Sequence, residues 1–494
     1  MYARIICEDG LAMELSEYFT FFVPGYKFQP LYKNKIWDGK IRLFNRSTHL
    51  IYLGLISYVE EFCVERKYTL SYDDTRPDIE DEYSRYHATK FIDSLDIHSR
   101  GVKLIPGEHQ IDAYQHAMQR RRALLVSPTA SGKSYIIYLL FRQLLQYQGL
   151  KGLVIVPTTT LVEQLTSDFK DYSSTNGFDV ESNVNKIYDF DGVTHESDKP
   201  LFISTWQSLF KKPPEYFDQF QYVIGDEAHE FQAKSLVGIM TQCLNTKYRI
   251  GLTGTLDGTK THKLVLEGLF GTHRKIISTK ELQDQGLISR LEIKCLVLKH
   301  PPEICKFVSE KENRSFETEL SYLIDYAPRN KFIKNLAVSM EKNTLVLFQR
   351  VADHGQILYD MIRNTEKLGD RKVFFIHGEV DTSERESVRK IMETEKNAIV
   401  VASYGTFQRG IDIRNLFNVI LASPAKSRIR NLQSIGRSLR LSAGKDMATL
   451  YDISDDLIHE SRMNHTMKHF LERVSIYNEE QFPFKIYKIG LKNG

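Results

Sequence analysis

The feature that most constrains this fold is a series of short, almost wholly apolar runs between residues 105 and 460. Runs of this kind are typical of strands buried on both faces of a parallel sheet, and the segments between them are long enough for crossover helices. The pattern pauses across "STKELQDQGLISRLEIKC" and then resumes. The sequence therefore predicts two α/β domains in series, each a doubly wound parallel sheet. The runs are "ALLVS", "GLVIVP", "PLFIST", "YVIGDE" and "YRIGLTG", then "NTLVLFQR", "KVFFIHG", "NAIVVAS", "NVILASP" and "ATLYDIS".

The N-terminal region of the chain has a different sequence pattern. Short alternating or aromatic runs, separated by Gly, Asn and Pro, predict a small α+β unit with a curved hairpin over residues 1 to about 70. The acidic "DDTRPDIEDE" that follows indicates a solvated linker or the start of a connecting helix. We expect four parts: residues 1–95 as this domain and linker, 96–290 and 291–475 as the α/β domains, and 476–494 as a tail that docks as a strand on the second α/β domain.

Composition sets limits on compartment and partners. The net charge of +3 allows a nucleic-acid partner but does not indicate one, so local patches would have to bind it. The five cysteines form no CxxC pair, which argues against a zinc site and a disulfide framework and favours a reducing compartment. The N-terminus lacks the apolar core of a signal peptide, and the longest apolar run, "YIIYLLF", is too short to cross a bilayer. We expect a soluble intracellular protein with no membrane partner.

A phosphate-binding loop is indicated by "SPTASGKS" (127–134), which follows the run "ALLVS" and precedes a helical pattern. Backbone N–H groups of such a loop converge on phosphates at the helix N-terminus. Lys133 would neutralise the β- and γ-phosphates, and the Ser134 hydroxyl would ligate Mg²⁺. Ser127 occupies the position of the first glycine of the general pattern, and Gly-Lys-Ser at a helix start also occurs without this function. The loop residues predicted to contact the nucleotide are Pro128, Thr129, Ala130, Ser131, Gly132, Lys133 and Ser134.

Two adjacent carboxylates end the apolar run "YVIGDE". At the end of a strand, Asp226 can reach a Mg²⁺ shell while Glu227 orients a water in line with the γ-phosphate. Acids at a strand end can also be mere capping charge, but together with the upstream loop they indicate nucleotide hydrolysis.

The motif order resembles that of superfamily-two helicases. Asp226-Glu227-Ala228-His229 looks like their DEAH box, and "LTGTL" (252–256) like the motif that couples hydrolysis to motion. This resemblance implies tandem RecA-like motor domains, ATP as the fuel, a catalytic role for His229, and adenine recognition by Gln110 in "GEHQIDA". The remaining motifs that resemble the family are "VPTTTLVEQ" (156–164), "ISTWQSL" (203–209), "LVLFQR" (345–350), "VASYGTFQRGIDI" (401–413) and "QSIGRSLR" (433–440).

The resemblance also implies contacts to a tracked strand. Hydroxyls and backbone N–H groups at strand ends hold the phosphates of such a strand, although Thr and Ser at these positions are otherwise ordinary caps. In the second domain, Gly410 would allow close approach of the backbone, and the resemblance assigns Asp412 to the ribose or to an interdomain contact. The alternative is a turn glycine followed by a capping acid. The strand contacts implied are Pro157, Thr158, Thr205, Trp206, Gln349 and Ser403.

A second set of catalytic candidates lies in "SRIRNLQSIGRSLR". Gln433, Gly436, Arg437 and Arg440 recur at three- and four-residue spacing and would share one helical face. The planar guanidinium groups suit a transition-state phosphoryl group. We expect Arg437 and Arg440 to complete the ATP site when the domains close; the alternative is a basic face turned to solvent or DNA.

The stretch "KNKIWDGKIRLFNR" suggests a nucleic-acid contact in the N-terminal unit. Six Lys/Arg and five aromatics stand against one acid between residues 26 and 46. In the expected hairpin, Lys40 and Arg42 share one face and Trp37 lies at the tip, beside a tight Asp38-Gly39 turn. These residues would bind the backbone of duplex DNA or stack on bases at a junction. The alternative is that Trp37, Phe28, Ile41 and Leu43 simply form the core of the unit.

Taken together, the N-terminal "GYKFQP…WDGKIRLF" and the motor motifs resemble the UvsW-type helicases of tailed phages over nearly the whole chain. The resemblance implies an ATP- and Mg²⁺-dependent motor that drives branch migration and fork regression in recombination and repair. Its partners would be branched or forked duplex DNA and single-stranded DNA, and in addition RNA–DNA hybrids. We expect a monomer or weak oligomer in the host-cell cytoplasm. The rival interpretations are an RNA helicase, the motor subunit of a restriction system, and a scaffold with a degenerate ATP site.

Overall fold

The computed structural model describes residues 1–72, 83–187, 197–410, 413, 415–423, 436 and 445–491, with the backbone alone at 232, 382 and 408–410. The chain divides into two compact units, Met1–Ile277 and Ser278–Gly494. Among the described residues, no helix combines the length and the apolar character needed to span a membrane.

The first unit begins with a small α+β module. Strands β1, β5 and β4 form one antiparallel sheet, and β2 pairs antiparallel with β3. A two-stranded ribbon, β6–β7, follows helix α4. The elements are β1 (Tyr2–Arg4), α1 (Asp9–Tyr18), β2 (Thr20–Phe22), α2 (Pro30–Lys33), β3 (Lys40–Arg42), β4 (Phe44–Asn45), β5 (Leu50–Tyr52), α3 (Ile56–Arg66), α4 (Arg85–Ser94), β6 (His98–Ser99) and β7 (Val102–Lys103).

The expected hairpin around Asp38-Gly39 is wrong. β3 pairs with β2, with Thr20 opposite Arg42 and Phe22 opposite Lys40, so the partner strand lies well upstream. The residues before Asp38 cannot be a strand because Pro30–Lys33 is helical and the amides of Ile36 and Trp37 donate back to the Leu31 carbonyl. Lys40 and Arg42 nevertheless occupy alternate positions of one strand, as predicted.

The small module shares its core with the first motor domain. Phe19, Phe44 and Phe62 are buried in the same cluster as Leu124 and Phe270 of the large sheet and its helices. The first unit therefore has no separate N-terminal core that could be removed without exposing apolar surface.

The large sheet of the first unit is parallel throughout its described strands, in the order β10-β11-β9-β12-β13-β8-β14. The five strands predicted here are confirmed, and short edge strands β10 and β14 were not predicted. The elements are α5 (Glu108–Arg120), β8 (Arg122–Val126), α6 (Lys133–Gln148), β9 (Gly152–Val156), α7 (Thr159–Tyr172), α8 (Val180–Asn183), β10 (Val184–Ile187), β11 (Leu201–Thr205), α9 (Trp206–Leu209), β12 (Tyr222–Asp226), α10 (Lys234–Gln242), β13 (Tyr248–Thr253), α11 (Lys260–Phe270) and β14 (His273–Lys275).

The second unit repeats this architecture. Its described strands form a parallel sheet in the order β17-β18-β16-β19-β20-β15-β21. The elements are α12 (Thr279–Asp284), β15 (Arg290–Lys299), α13 (Pro302–Ser309), α14 (Phe316–Asp325), α15 (Ala327–Ser339), β16 (Thr344–Phe348), α16 (Gln356–Arg363), β17 (Val373–Ile376), α17 (Thr382–Thr394), β18 (Ile399–Ser403), α18 (Tyr404–Gly410), β19 (Asn418–Leu421), β20 (Met447–Asp456), α19 (His465–Glu479) and β21 (Phe484–Gly490).

The C-terminal stretch docks as predicted. β21 pairs parallel with β15 from Ile293↔Phe484 to Lys299↔Gly490. β15 itself lies in the segment where the apolar pattern pauses, and it pairs with β20 over its whole length. In both sheets the carboxyl ends of the strands meet at one edge, which is where ligands bind in open α/β folds.

Candidate functional site

The loop between β8 and α6 has the backbone geometry of a phosphate-binding loop. Helix α6 begins at Lys133, and its N-cap, Gly132, lies in the left-handed region at φ +86°. A Cβ on Gly132 would come within 2.1 Å of Gln110 Nε2, so both the conformation and the close approach require glycine. The amides of Lys133 and Ser134 stand at the helix start, where helix geometry provides no partner within the helix, whereas the Tyr135 amide donates to the Gly132 carbonyl at 3.1 Å.

Ser127 has a structural use in place of the usual glycine. The buried Ser127 hydroxyl donates to the Ser131 hydroxyl, which donates to the Pro128 carbonyl at 2.8 Å. The Ser127 amide donates to the Thr253 carbonyl at 2.9 Å. These bonds tie the two ends of the loop together and hold it against β13.

Three charged side chains converge beside this loop. Lys133 Nζ lies 3.6 Å from Glu227 Oε1, and both side chains are largely shielded from solvent. The Glu227 amide donates to Asp226 Oδ1 at 2.9 Å. Burial, followed by the charge of Glu227, raises the pKa of Asp226 to about 6. Glu227 itself lies at φ +50°, a conformation that is uncommon for residues other than glycine and that clusters at functional sites.

The donor set fits a magnesium ion held together with a nucleotide. A carboxylate at Asp226 and a hydroxyl at Ser134 are hard oxygen ligands of the kind Mg²⁺ takes, and Mg²⁺ commonly completes its shell with phosphates and water. Within the described residues there is no group of three or more His, Cys, Asp or Glu side chains that could hold a metal by themselves.

Two contacts to the loop were not predicted. The Ser134 hydroxyl is hydrogen-bonded to the Tyr172 hydroxyl at 2.9 Å, at the last residue of α7. His109 Nε2 donates to the Ser131 carbonyl at 3.0 Å, beside Gln110 Nε2, which donates to the same carbonyl at 3.0 Å. Gln110, predicted to read adenine, is thus attached to the loop itself. No sequence motif marks Tyr172, whereas His109 adjoins the glutamine motif.

A chain of hydrogen bonds links the DEAH segment to β13. His229 Nδ1 lies 3.1 Å from Thr253 Oγ1 and 3.4 Å from Glu227 Oε2. The Thr253 hydroxyl donates its hydrogen to the Thr255 carbonyl at 2.9 Å, so it can only accept from His229. This assigns the His229 proton to Nδ1. The sequence indicated both motifs, and the structure brings them together.

His262 extends this chain and was not predicted. From α11, His262 Nε2 donates to the His229 carbonyl at 2.9 Å, and His262 Nδ1 lies 3.0 Å from Asp257 Oδ1. His262 is 2% exposed, and each of its two ring nitrogens has one of these polar partners in the protein interior. The N-terminal end of helix α11 is therefore hydrogen-bonded to the DEAH segment.

The strand contacts predicted in the first unit lie at the carboxyl ends of β9 and β11. Pro157 and Thr158 follow β9, and the Thr158 hydroxyl accepts from the Leu161 amide at 3.3 Å. Thr205 ends β11 and is hydrogen-bonded to the Ser208 hydroxyl at 3.0 Å. Trp206 is half-buried against the unit's core. The Thr158 hydroxyl thus caps α7, whereas the Thr205 hydroxyl makes no capping bond to the backbone. The DNA contacts of both residues stay predictions.

In the second unit, Gln349 follows β16 and is exposed. Its backbone N–H donates to the Ser423 hydroxyl at 3.2 Å. Ser403 ends β18 and is bonded to the Thr406 hydroxyl at 2.8 Å. Gly410 is the last residue of α18. The candidates that lie outside the described residues are Asp412, Gln433, Arg437 and Arg440.

The N-terminal candidates form a compact local group. Trp37 Nε1 donates to the Lys40 carbonyl at 2.9 Å. Lys40 Nζ lies 4.9 Å from the centre of the Phe22 ring, and Arg42 is paired with Asp38. Of the residues in the alternative core assignment, Leu43 is buried but Phe28 is 80% exposed.

Comparison with known proteins places these features in a family. The model "DNA helicase UvsW, N-terminal" matches residues 1–73, "Type III restriction enzyme, res subunit" matches 85–258, and "Helicase conserved C-terminal domain" matches 328–442. The chain is 23% identical to the DNA 3'-5' translocase XPB2 of Sulfurisphaera tokodaii, with 71% of this chain and 82% of the relative covered.

A much more similar relative is the ATP-dependent DNA helicase uvsW of Enterobacteria phage T4. It is 32% identical over 508 residues, covering 99% of this chain and 98% of the relative. The crystal structure of T4 UvsW matches with a TM-score of 0.51 over 99% of this chain and 98% of that chain. On this similarity, which extends over almost the full length of both chains, the protein belongs to the UvsW family of helicases.

Proposed function

We propose that this protein is an ATP-dependent DNA helicase that remodels branched DNA by branch migration and fork regression in recombination and repair. The observation that supports this most directly is the convergence of Lys133, Asp226 and Glu227 at the carboxyl edge of one parallel sheet, with Lys133 Nζ 3.6 Å from Glu227 Oε1. That arrangement is suited to phosphoryl transfer to water. The relative from phage T4 is named an ATP-dependent DNA helicase.

In the proposed reaction the 127–132 loop and the first turn of α6 bind the triphosphate through backbone N–H groups. Lys133 neutralises charge on the β- and γ-phosphates. Ser134 and Asp226 would hold Mg²⁺, which would supply further charge neutralisation at the transferred phosphoryl group. Burial in a site of low dielectric strengthens each of these interactions.

Glu227 orients the attacking water and accepts its proton. The Glu227 carboxylate lies between Lys133 and His229, with His229 Nδ1 3.4 Å from Glu227 Oε2. Because His229 also donates to Thr253, any movement of Glu227 on hydrolysis is transmitted to the end of β13. Arg437 and Arg440 are proposed, from the motif resemblance, to stabilise the transition state.

The proposal is tested by Glu227→Gln. The substitution keeps the shape of the side chain and removes the proton acceptor, so we expect ATP turnover to fall at least about 100-fold while ATP binding persists. Glu230→Gln, three residues later on the same turn, is the matched control and should hydrolyse ATP normally. Unchanged hydrolysis by Glu227→Gln would contradict the assignment.

The substrate is tested separately. We expect ATP hydrolysis by the full chain to respond to single-stranded DNA and expect ATP-driven migration of a synthetic four-way DNA junction. Equal or greater stimulation by RNA, without junction migration, would favour the RNA-helicase alternative, since contacts to phosphates alone do not distinguish the sugars. An RNA–DNA hybrid with a displaced strand tests activity on RNA–DNA loops.

A further inference from the structure

The segment between β2 and β3, residues 23–39, is a folded excursion from the N-terminal module. It is closed at its base by the Val23 amide, which donates to the Gly39 carbonyl at 2.9 Å. Inside it, the Tyr26 ring stacks on Phe22 at 4.7 Å and meets the edge of Tyr32 at 4.7 Å. Gly39 lies at φ +80°, and a Cβ there would come within 2.3 Å of Tyr26. This internal packing gives the excursion a defined shape.

The outer face of the 23–39 excursion is apolar. Phe28 is 80% exposed, Ile36 71% and Leu31 52%. Leu31 and Ile36 are held together by the bond from the Ile36 amide to the Leu31 carbonyl, at 2.9 Å. The neighbouring Tyr26 and Tyr32 rings are half-buried, whereas these three side chains are exposed. Clustered exposed apolar side chains with a polar surround mark interaction sites.

The surround of this apolar face is cationic. Lys27, Lys33 and Lys35 belong to the excursion, and Lys40 and Arg42 lie on the strand at its base. Asp38 is the one acid of residues 23–42, and it is paired with Arg42. An apolar face bordered by lysines complements a polyanion that also exposes apolar rings. Nucleic acid meets that description only where bases are unstacked, because a continuous duplex presents its phosphates and buries the base faces.

We infer that the 23–39 excursion reads the branch point of the DNA substrate: Phe28, Leu31 and Ile36 cover bases exposed at a duplex end or junction, while Lys27, Lys33 and Lys35 contact the flanking phosphates. The inference builds on the proposed DNA-helicase function and names the part of the substrate recognised by this surface. It separates two roles within one module, base covering by the apolar face and phosphate binding by the lysines.

The test uses the full chain and two DNAs of equal length, a four-way junction and a linear duplex, each with 2-aminopurine in place of one base. The label lies at the branch point or at the centre of the duplex. In the unsubstituted protein we expect tighter binding to the junction and a change in 2-aminopurine fluorescence at the branch point alone. Phe28→Ser/Ile36→Ser should weaken junction binding about tenfold, with duplex binding changed less than about twofold.

Two further variants distinguish base covering from phosphate binding, one as a test of the lysines and one as a control. Lys33→Ala/Lys35→Ala should weaken binding to both DNAs alike and reduce its dependence on salt, as expected for lost phosphate contacts. Ile6→Ser/Val64→Ser is the control for exposed apolar side chains of the same module, since these are 95% and 78% exposed. That control should bind both DNAs as the unsubstituted protein does.

The inference is overturned if Phe28→Ser/Ile36→Ser binds the junction normally, which would assign the face to a protein partner, or if it loses junction and duplex binding equally. An equal effect from the Ile6→Ser/Val64→Ser control would also overturn it. Failure of the proposed function has a different signature: the unsubstituted protein would hydrolyse no ATP in the presence of any DNA.

Discussion

At the scale of single residues, the charges of Glu227 and Lys133 act in opposite directions on the pKa of Asp226 in the ATP site. Asp226 and Glu227 are adjacent carboxylates with Lys133 as the nearest cation. Burying the Asp226 carboxylate opposes its negative charge, and this is the largest cause of its raised pKa. The negative charge of Asp226 is therefore unfavourable in the protein alone, and a bound Mg²⁺ would compensate it.

This predicts a stability cost at Asp226. The pKa of this carboxyl is raised from 3.8 to about 6 in the folded chain, so the folded state holds the proton more tightly than the unfolded state. Stability is lost as the pH rises from about 4 through 6, so the cost of burying this carboxylate is larger at pH 7.5 than at pH 5.

Asp226→Asn should accordingly stabilise the protein, more at pH 7.5 than at pH 5, while abolishing hydrolysis. The free energy of unfolding, measured by denaturant titration without nucleotide or Mg²⁺ at the two pH values, checks this. Exposed Asp370→Asn is the control and should change neither value. A stabilisation independent of pH, or a less stable variant, would show that the Asp226 charge is well compensated.

At the scale of elements, helix α11 joins two parts of the first unit. Near its start, His262 donates to the DEAH segment. Near its end, the fully buried Glu267 accepts from the Tyr58 hydroxyl of α3 at 2.6 Å and from the His273 amide at 3.0 Å. Gly54 packs so closely that a Cβ would lie 1.9 Å from the Glu267 carbonyl oxygen. One helix thus contacts both the hydrolytic segment and the N-terminal module.

Tyr58→Phe is expected to destabilise the first unit by about 1–3 kcal/mol, because it leaves one oxygen of a buried carboxylate without its donor. The comparison variant is Tyr68→Phe, whose hydroxyl donates to exposed Glu14 at 3.1 Å. We expect the comparison variant to change stability by less than about 0.5 kcal/mol. Denaturant unfolding of the full chain measures both, and equal losses would refute a special role for the Glu267 contact.

At the scale of the whole molecule, the N-terminal module is part of the first unit's core rather than an appended domain. Phe19, Phe44 and Phe62 lie in one buried cluster with Leu124 and Phe270. A helicase that holds its duplex through such a module would transmit force through packed side chains rather than through a flexible linker.

A chain truncated to residues 96–494 is therefore expected to fold poorly. Removing the module would expose the Leu124 and Phe270 side of the core to water, at a cost of roughly 25 cal/mol for each Å² of apolar surface. Solubility on expression and a thermal unfolding scan would reveal this. A truncated chain that melts cooperatively near the temperature of the full chain would show that the shared core contributes little.

Much of the architecture was predictable because its signals are local. Ten apolar runs were predicted as strands and all ten are strands, and Lys133, Asp226 and Glu227 meet at one sheet edge as their motifs indicated. β15 was missed because its run "LEIKCLVLK" alternates with charge and follows a turn-rich segment, so that only pairing with β20 and β21 identifies it as a central strand.

By itself the sequence determined the two parallel sheets, the loop at 127–134 and the family, since each depends on residues close together along the chain. The tertiary structure decided which distant residues meet: β2 with β3, Tyr172 with Ser134, His262 with His229, and Tyr58 with Glu267. The physical reason is that hydrogen bonding and burial across long sequence separations depend on how whole elements pack. No spacing rule along the chain encodes that packing.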